Sequence, residues 1–256
     1  MKRMITLAVV VVITAGLLTG CTIVTGSGIL VTEDMDFSDF TRVEVGHAFE
    51  VEIVQSDQYS VSITADDNLF EYIRVSQQGS TLKIGVRPTV MFRSATYRAE
   101  ITMPQLCSLE LSGATEGTVS GFESVEDLDI EVSGASSLDI EDMVAGDMAF
   151  DISGASTVVG EVTAGDTRFD ISGASTVRLR GSADDIVLDL SGASHVEMVE
   201  FPVNSADVDF SGASSGTVHV DGRLDVELSG ASSLTYLGDA TLVDVDISGA
   251  SSLHGE

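Results

Sequence analysis

The sequence predicts an all-β solenoid, a parallel β-helix with coils of about 20 residues, led in by a strand-rich N-terminal part. Three observations predict it. The phrase Ser-Gly-Ala-Ser opens at Ser133, Ser153, Ser172, Ser191, Ser211, Ser229 and Ser248, and a variant, Ser-Gly-Ala-Thr, opens at Ser112. The eight starts lie 21, 20, 19, 19, 20, 18 and 19 residues apart. Two columns flank each phrase on its N-terminal side. Three residues before the serine stand Leu109, Ile130, Phe150, Phe169, Leu188, Val208, Val226 and Val245; one residue before it stand Leu111, Val132, Ile152, Ile171, Leu190, Phe210, Leu228 and Ile247. Between these apolar columns lies a third in which every member is acidic: Glu110, Glu131, Asp151, Asp170, Asp189, Asp209, Glu227 and Asp246. In-out-in spacing is the period of a β-strand with one buried face.

Residues 1–20 read as a lipoprotein signal peptide. Lys2 and Arg3 form a basic start, and Ile5 to Leu18 form an apolar run too short for a comfortable membrane span. Leu18-Thr19-Gly20-Cys21 follows and resembles the lipobox of bacterial lipoproteins, with Cys21 as the lipidated residue. Removal of the signal would leave ten basic residues against 41 acidic ones. Residues 21–36 mix Thr, Gly, Ser and acids without clean periodicity, so a tether is expected there.

Residues 37–107 read as an N-terminal β region packed on the helix or continuing it. Apolar residues alternate in Val43-Glu44-Val45, Phe49-Glu50-Val51-Glu52-Ile53, Val61-Ser62-Ile63, Leu82-Lys83-Ile84 and Tyr97-Arg98-Ala99-Glu100-Ile101. Ser56-Asp57, Asp66-Asp67-Asn68 and Gln78-Gly79-Ser80 supply turns, and Leu69 to Ile73 fits a short helical turn. Cys107 has no second free cysteine to pair with once Cys21 is acylated, and reads as a small buried hydrophobe.

Residues 108–256 form the helix proper. The glycine of each phrase suits a corner needing positive φ or close backbone approach, and the alanine a tight inside bend. Second strands begin near Leu138, Val158, Val177, Val196 and Leu234. Twenty residues at about 3.3 Å each give a perimeter near 65 Å, room for two or three short strands; eight coils about 4.8 Å apart make a rod about 38 Å long. Stacked serines are expected to hydrogen-bond from coil to coil. The last repeat stops six residues past Gly249-Ala250, so the final coil is expected to be frayed or covered by a partner such as a second copy.

The repeated Ser-Gly-Ala-Ser phrases, the acid-apolar-Ser-Gly-Ala register and the strand-rich lead-in from about Phe37 resemble the auto-transporter adhesin head domain, the GIN domain, of secreted and lipid-anchored bacterial proteins. The resemblance covers roughly residues 37–256. It implies a right-handed parallel β-helix and brings no active-site residues with it. With no translocator barrel evident before Glu256, it points to a lipid-anchored protein of the cell envelope, at the surface or in the periplasm.

Charge and motifs narrow the function classes. A formal net charge of −29 excludes nucleic-acid binding, which needs clustered Lys and Arg, and suits cations or basic partners. The acid column could ligate a hard cation such as Ca²⁺, although the calcium-binding nonapeptide of β-rolls is absent; otherwise it is a solvated face that discourages strand pairing with other chains. Arg168, Arg178 and Arg180 fall within two successive coils and could line one face or pair with Asp166, Asp170, Asp184 or Asp185. No zinc spacing, nucleophile elbow or nucleotide-binding loop occurs, so no catalytic residue is assigned. Few aromatics and no Trp weaken a sugar-stacking cleft. The expected function is a non-catalytic binding or adhesion-type module for a protein or glycan ligand, with no cofactor. Alternatives are an envelope signalling accessory protein presenting the helix to a protein partner, and, third, a polysaccharide-active β-helix enzyme.

Overall fold

The structure is a computed structural model that describes residues 22–256; the expected signal peptide and Cys21 lie outside the described residues. The lead-in holds β1 (Thr22–Thr25), β2 (Leu30–Met35), β3 (Arg42–Val45), β4 (Glu50–Gln55) and β5 (Ser60–Asp66). A 3₁₀ turn at Asp67–Leu69 separates these from β6 (Ile73–Gln78), β7 (Thr81–Val86), β8 (Val90–Arg93) and β9 (Tyr97–Met103). The repeats begin with β10 (Ser108–Leu111), β11 (Glu116–Ser120), β12 (Leu128–Val132), β13 (Ser137–Val144), β14 (Met148–Ile152) and β15 (Thr157–Thr163). They continue through β16 (Thr167–Ile171), β17 (Thr176–Ser182), β18 (Asp185–Leu190), β19 (His195–Val203) and β20 (Ser205–Phe210). The last are β21 (Ser215–Val220), β22 (Arg223–Leu228), β23 (Ser233–Leu237), β24 (Thr241–Ile247) and β25 (Ser252–Gly255).

Each coil of the repeats contributes two strands, one to each of two facing parallel sheets. Even-numbered strands from β10 to β24 build an 11-stranded sheet in the order β24-β22-β20-β18-β16-β14-β12-β10-β3-β7-β6. Odd-numbered strands from β11 to β25 build a 12-stranded sheet in the order β2-β5-β9-β4-β11-β13-β15-β17-β19-β21-β23-β25. Both apolar columns are buried from Leu109 through Val226 and from Leu111 through Leu228, and together they form the spine of the core. Phe150 and Phe169 stack within it at 4.8 Å between centroids and 11° between planes.

The corner phrase does a different job from the one its composition suggests. Its glycines do adopt positive φ, +79° at Gly154 and Gly173. Its alanine, however, faces outward, and the fourth residue turns in: Thr115, Ser136, Ser156, Ser175, Ser194, Ser214 and Ser232 are all buried. Each of these hydroxyls donates to the carbonyl of the residue three before it, in its own coil, at 2.8 to 2.9 Å. This local cap satisfies a polar group inside an apolar core. The expected serine ladder is present only in part: Ser211 Oγ donates to Leu190 O and Ser248 Oγ to Leu228 O at 3.3 Å, and Ser252 Oγ donates to Ser233 Oγ at 3.1 Å, each one coil away. Bonding between coils at this corner is mainly backbone: the Ala174 N–H donates to Gly154 O at 2.8 Å, Ala193 to Gly173 at 2.7 Å, and the pattern repeats down the stack.

Two further expectations are corrected. The segment read as a tether carries two strands: β1 pairs in parallel with β8, and β2 pairs antiparallel with β5. Their partners lie dozens of residues away in sequence, so local composition does not disclose them. Cys107 is half-buried rather than fully buried.

The lead-in both continues and closes the solenoid. β3 and β4 form one more coil under β10 and β11, and β7 and β9 form the next. Antiparallel β6, β5 and β2 then end the two sheets. Among the described residues the opposite end has no such cover. β24 and β25 are formed and paired, but Val245 and Ile247, whose equivalents are buried in every earlier repeat coil, are each 42% exposed.

Candidate functional site

The outward face of the 11-stranded sheet carries the acid column in strict register. Glu110 stands opposite Glu131, Glu131 opposite Asp151, Asp151 opposite Asp170, and Asp170 opposite Asp189. The run continues through Asp209 and Glu227 to Asp246. Strand separation sets about 4.8 Å between rungs.

The column is longer than the repeats. Glu44 on β3 stands opposite Glu110, and Lys83 on β7 stands opposite Glu44. Lys83 makes an ion pair with Glu44, so the lead-in ends the acidic row with a cation. The sign of this extension was present in Val43-Glu44-Val45, which repeats the apolar-acid-apolar triplet without the phrase after it. A shallow groove of about 480 Å³ runs along this end of the face, lined by Arg42, Glu44, Glu110, Glu131, Arg168 and Asp170 among others.

The electrostatic strain of the row shows at two rungs. Glu110 is held above the ordinary carboxylate range, first by desolvation and then by Glu131 and Glu44, with Lys83 opposing. Asp209 is also raised, by desolvation and then by Asp189 and Asp207. At the far end Asp225 is lowered by its hydrogen bond from Arg223. The raised groups favour the folded state in their protonated form. Their contribution is complete below their unfolded pKa values and is lost as pH rises through the folded ones. Lowering the pH from neutrality toward the ordinary carboxylate range is therefore expected to raise the melting temperature at constant ionic strength. Below about pH 4 Asp225 opposes this, since its stabilisation is lost as pH falls through its depressed folded pKa. Melting curves across this range test the trend, and Glu110→Gln with Asp209→Asn should flatten it.

The three arginines of the middle coils do not share a face. Arg168 lies on the acidic sheet and pairs with Asp189. Arg178 and Arg180 lie on the opposite sheet and pair with Glu197 at 3.0 Å and Glu161 at 3.1 Å. None takes the acids closest in sequence, because coil stacking brings residues 19 to 21 positions apart side by side. His195 Nδ1 lies 2.9 Å from Ser215 Oγ, one coil on. Among the described residues no group of three or more His, Cys, Asp or Glu side chains converges in a way that could hold a metal ion. The acid column is a row of single carboxylates, one per strand, and lacks the several oxygens that Ca²⁺ gathers around itself. No helix among the described residues is long and apolar enough to cross a membrane.

A β-solenoid with a periodic, charged outer sheet defines the class: a repetitive scaffold that presents one surface pattern many times. The chain belongs to the family described as "Putative auto-transporter adhesin, head GIN domain", whose sequence model matches residues 39–240. Solved structures share the fold at low identity. A "putative adhesin" from Parabacteroides merdae is 18% identical with a TM-score of 0.85, covering 92% of this chain and 99% of that one. Another "putative adhesin", from Parabacteroides distasonis, is 18% identical with a TM-score of 0.85, covering 91% and 100%. A "putative lipid binding protein" from Parabacteroides distasonis is 17% identical with a TM-score of 0.77, covering 92% and 100%. No curated protein sequence matches the chain.

Proposed function

We propose that this protein is a lipid-anchored, extracytoplasmic, non-catalytic adhesion-type module whose acidic sheet meets a basic partner. The observation that carries the reading is the register of nine carboxylates, Glu44 and the eight rungs of the repeats, along one flat sheet face. A flat periodic face offers many weak, equivalent contacts in a row, which suits attachment to an extended or repetitive surface. Potentials of one sign over such an area steer oppositely charged partners and raise association rates. The family description and the adhesin names of the structural neighbours support the same class. Cys21 is the residue that would carry the anchor.

Display of the full chain on bacterial cells tests the reading against films of a basic and an acidic protein. Attachment is expected to the basic film and to fall steeply with added salt. Glu131→Gln, Asp170→Asn and Asp209→Asn together should weaken it several-fold. Neutralising three exposed acids elsewhere, Asp57, Glu126 and Asp239, changes net charge equally and should have little effect. Equal losses in the two triple variants would show that only net charge matters and would overturn the assignment to this face.

A further inference from the structure

Two ends of the molecule expose apolar side chains, and they differ in charge. At the open C-terminal coil, Leu242, Val243, Val245 and Ile247 share their strand with Asp244 and Asp246. At the other end, Ile23 on β1 and Met91 on β8 are direct cross-strand neighbours, 66% and 60% exposed. Ile29 is 61% exposed and Leu30 53%, on the segment that follows β1. The small β1–β8 sheet is amphipathic: Val24, Val90 and Phe92 pack inward against the core. It is also fixed in place. Phe92 sits edge-on to Tyr97 at 5.2 Å and to Tyr72 at 6.2 Å, and Tyr97 sits edge-on to buried Phe49 at 4.9 Å. The exposed apolar face is therefore a rigid platform.

It also gathers cations that the rest of the molecule pairs off. Of the basic residues among those described, six pair with acids. Arg42, Arg74, Arg87 and Arg93 make no ion pair with an acid, and all four precede the repeats. Arg87 and Arg93 bracket β8; Arg87 lies over the Tyr72 ring at 6.0 Å, and both are exposed. Of the nearby acids, Asp66 is buried and its oxygens accept from the backbone N–H groups of Gly28 and Thr96, Asp67 accepts from Ser27 Oγ, and Glu71 lies beside Tyr72; none of the three forms an ion pair with Arg87 or Arg93. In a chain with 41 acidic and 12 basic residues, cations left unpaired beside an apolar face call for an anionic partner from outside.

The chain itself indicates which partner. β1 starts at the residue after Cys21, and the apolar run Ile5 to Leu18 stops four positions earlier. Ile23 is the second residue after Cys21, so at most about 7 Å of chain can separate them. We propose that the outer face of the β1–β8 sheet, centred on Ile23 and Met91 and extended by Ile29 and Leu30, rests on an anionic lipid surface, with Arg87 and Arg93 against the headgroups. The proposal rests on the reading of Cys21 as the anchor. A basic residue near an anionic surface adds attraction, and interfacial apolar side chains sink to the headgroup level. The acidic C-terminal coil is repelled by the same surface, so the solenoid stands away from the membrane with its open end outermost.

The absence of Trp allows a clean test. The full lipidated chain carrying Met91→Trp is reconstituted into vesicles of phosphatidylcholine and phosphatidylglycerol with or without brominated acyl chains; a second protein carries Leu242→Trp. Met91→Trp is expected to show blue-shifted emission and to lose most of it to the brominated lipid, while Leu242→Trp keeps its intensity. If the protein floats with the vesicles and Met91→Trp is not quenched, the anchor stands and the platform proposal is overturned. If the protein does not float with them, the anchor reading fails and the proposal falls with it. Charge reversal by Arg87→Glu with Arg93→Glu should reduce the quenching of Met91→Trp, and unchanged quenching would remove the arginines from the contact.

Discussion

Replacing Gly173 with alanine is expected to destabilise the solenoid by about 3 kcal/mol or more, whereas the same change at Gly121 should cost only about 1–2 kcal/mol. The two glycines have nearly the same backbone, φ +79° and +75°, so the left-handed penalty for an L-residue is common to both. Their surroundings differ. A Cβ on Gly173 would lie 2.3 Å from Gly154 O, an atom already bonded to the Ala174 N–H, while a Cβ on Gly121 meets nothing within 4 Å. The extra cost at Gly173 is therefore the cost of pushing two coils apart at the corner. Urea unfolding followed by circular dichroism measures both variants. Equal losses would mean that backbone conformation alone selects glycine in the phrase, and that the close approach of successive corners carries no weight.

That comparison also shows what the recurring phrase encodes. Glycine recurs because each corner sits on the one before it, and the last serine recurs because its side chain closes the turn inside the core. Both constraints repeat with every coil, so they repeat in the sequence, and the architecture was legible from them. The inward and outward roles within the phrase were not. Period-2 alternation runs through Phe169, Asp170 and Ile171 but breaks at the turn, where Ala174 points out and Ser175 points in. The lead-in hid its coils for a related reason. At the corner after Val45 it has Gly46-His47-Ala48, with His47 and Ala48 taking positive φ values of 71° and 68° without a glycine in the turning position. Spatial order adds to the concealment, because β3 lies between β7 and β10 while the chain visits β3 first and β7 only after two antiparallel strands. The triplet Val43-Glu44-Val45 carries the apolar-acid-apolar pattern, but only the spatial order of the strands sets Glu44 beneath Glu110 and Lys83 beneath Glu44. The platform at β1 and β8 was illegible for the same reason: nothing local to Thr22–Thr25 points to a partner at Val90–Arg93.

The acidic face and the core oppose each other energetically. Like charges directly opposite on neighbouring strands destabilise a sheet by a few tenths to about 1 kcal/mol each. Glu110 and Asp209 are raised first by desolvation and then by that repulsion from their neighbouring acids. A row of acids kept at this cost fits a surface with a binding role better than one selected for stability alone. It also leaves the buried columns as the principal source of cohesion between coils.

The second large effect tests that cohesion. Phe169→Ala is expected to cost about 3–5 kcal/mol, from lost transfer energy and the cavity left between coils. Phe169 is fully buried, stacked on Phe150 and in register with Leu188 on its other side. Because Leu188 occupies the same column one coil on, Phe169→Leu should be milder, about 1–2 kcal/mol. In a solenoid each coil contacts only its neighbours, so the damage should be local as well as large. Hydrogen exchange on Phe169→Ala is expected to lose protection first in β14, β16 and β18 and in their partners across the core, while β3 and β4 keep theirs. A uniform loss along the chain would mean that the solenoid opens as a single cooperative unit. A loss confined to the middle coils would show that the acidic face is held in register coil by coil, by the apolar residues directly behind each carboxylate.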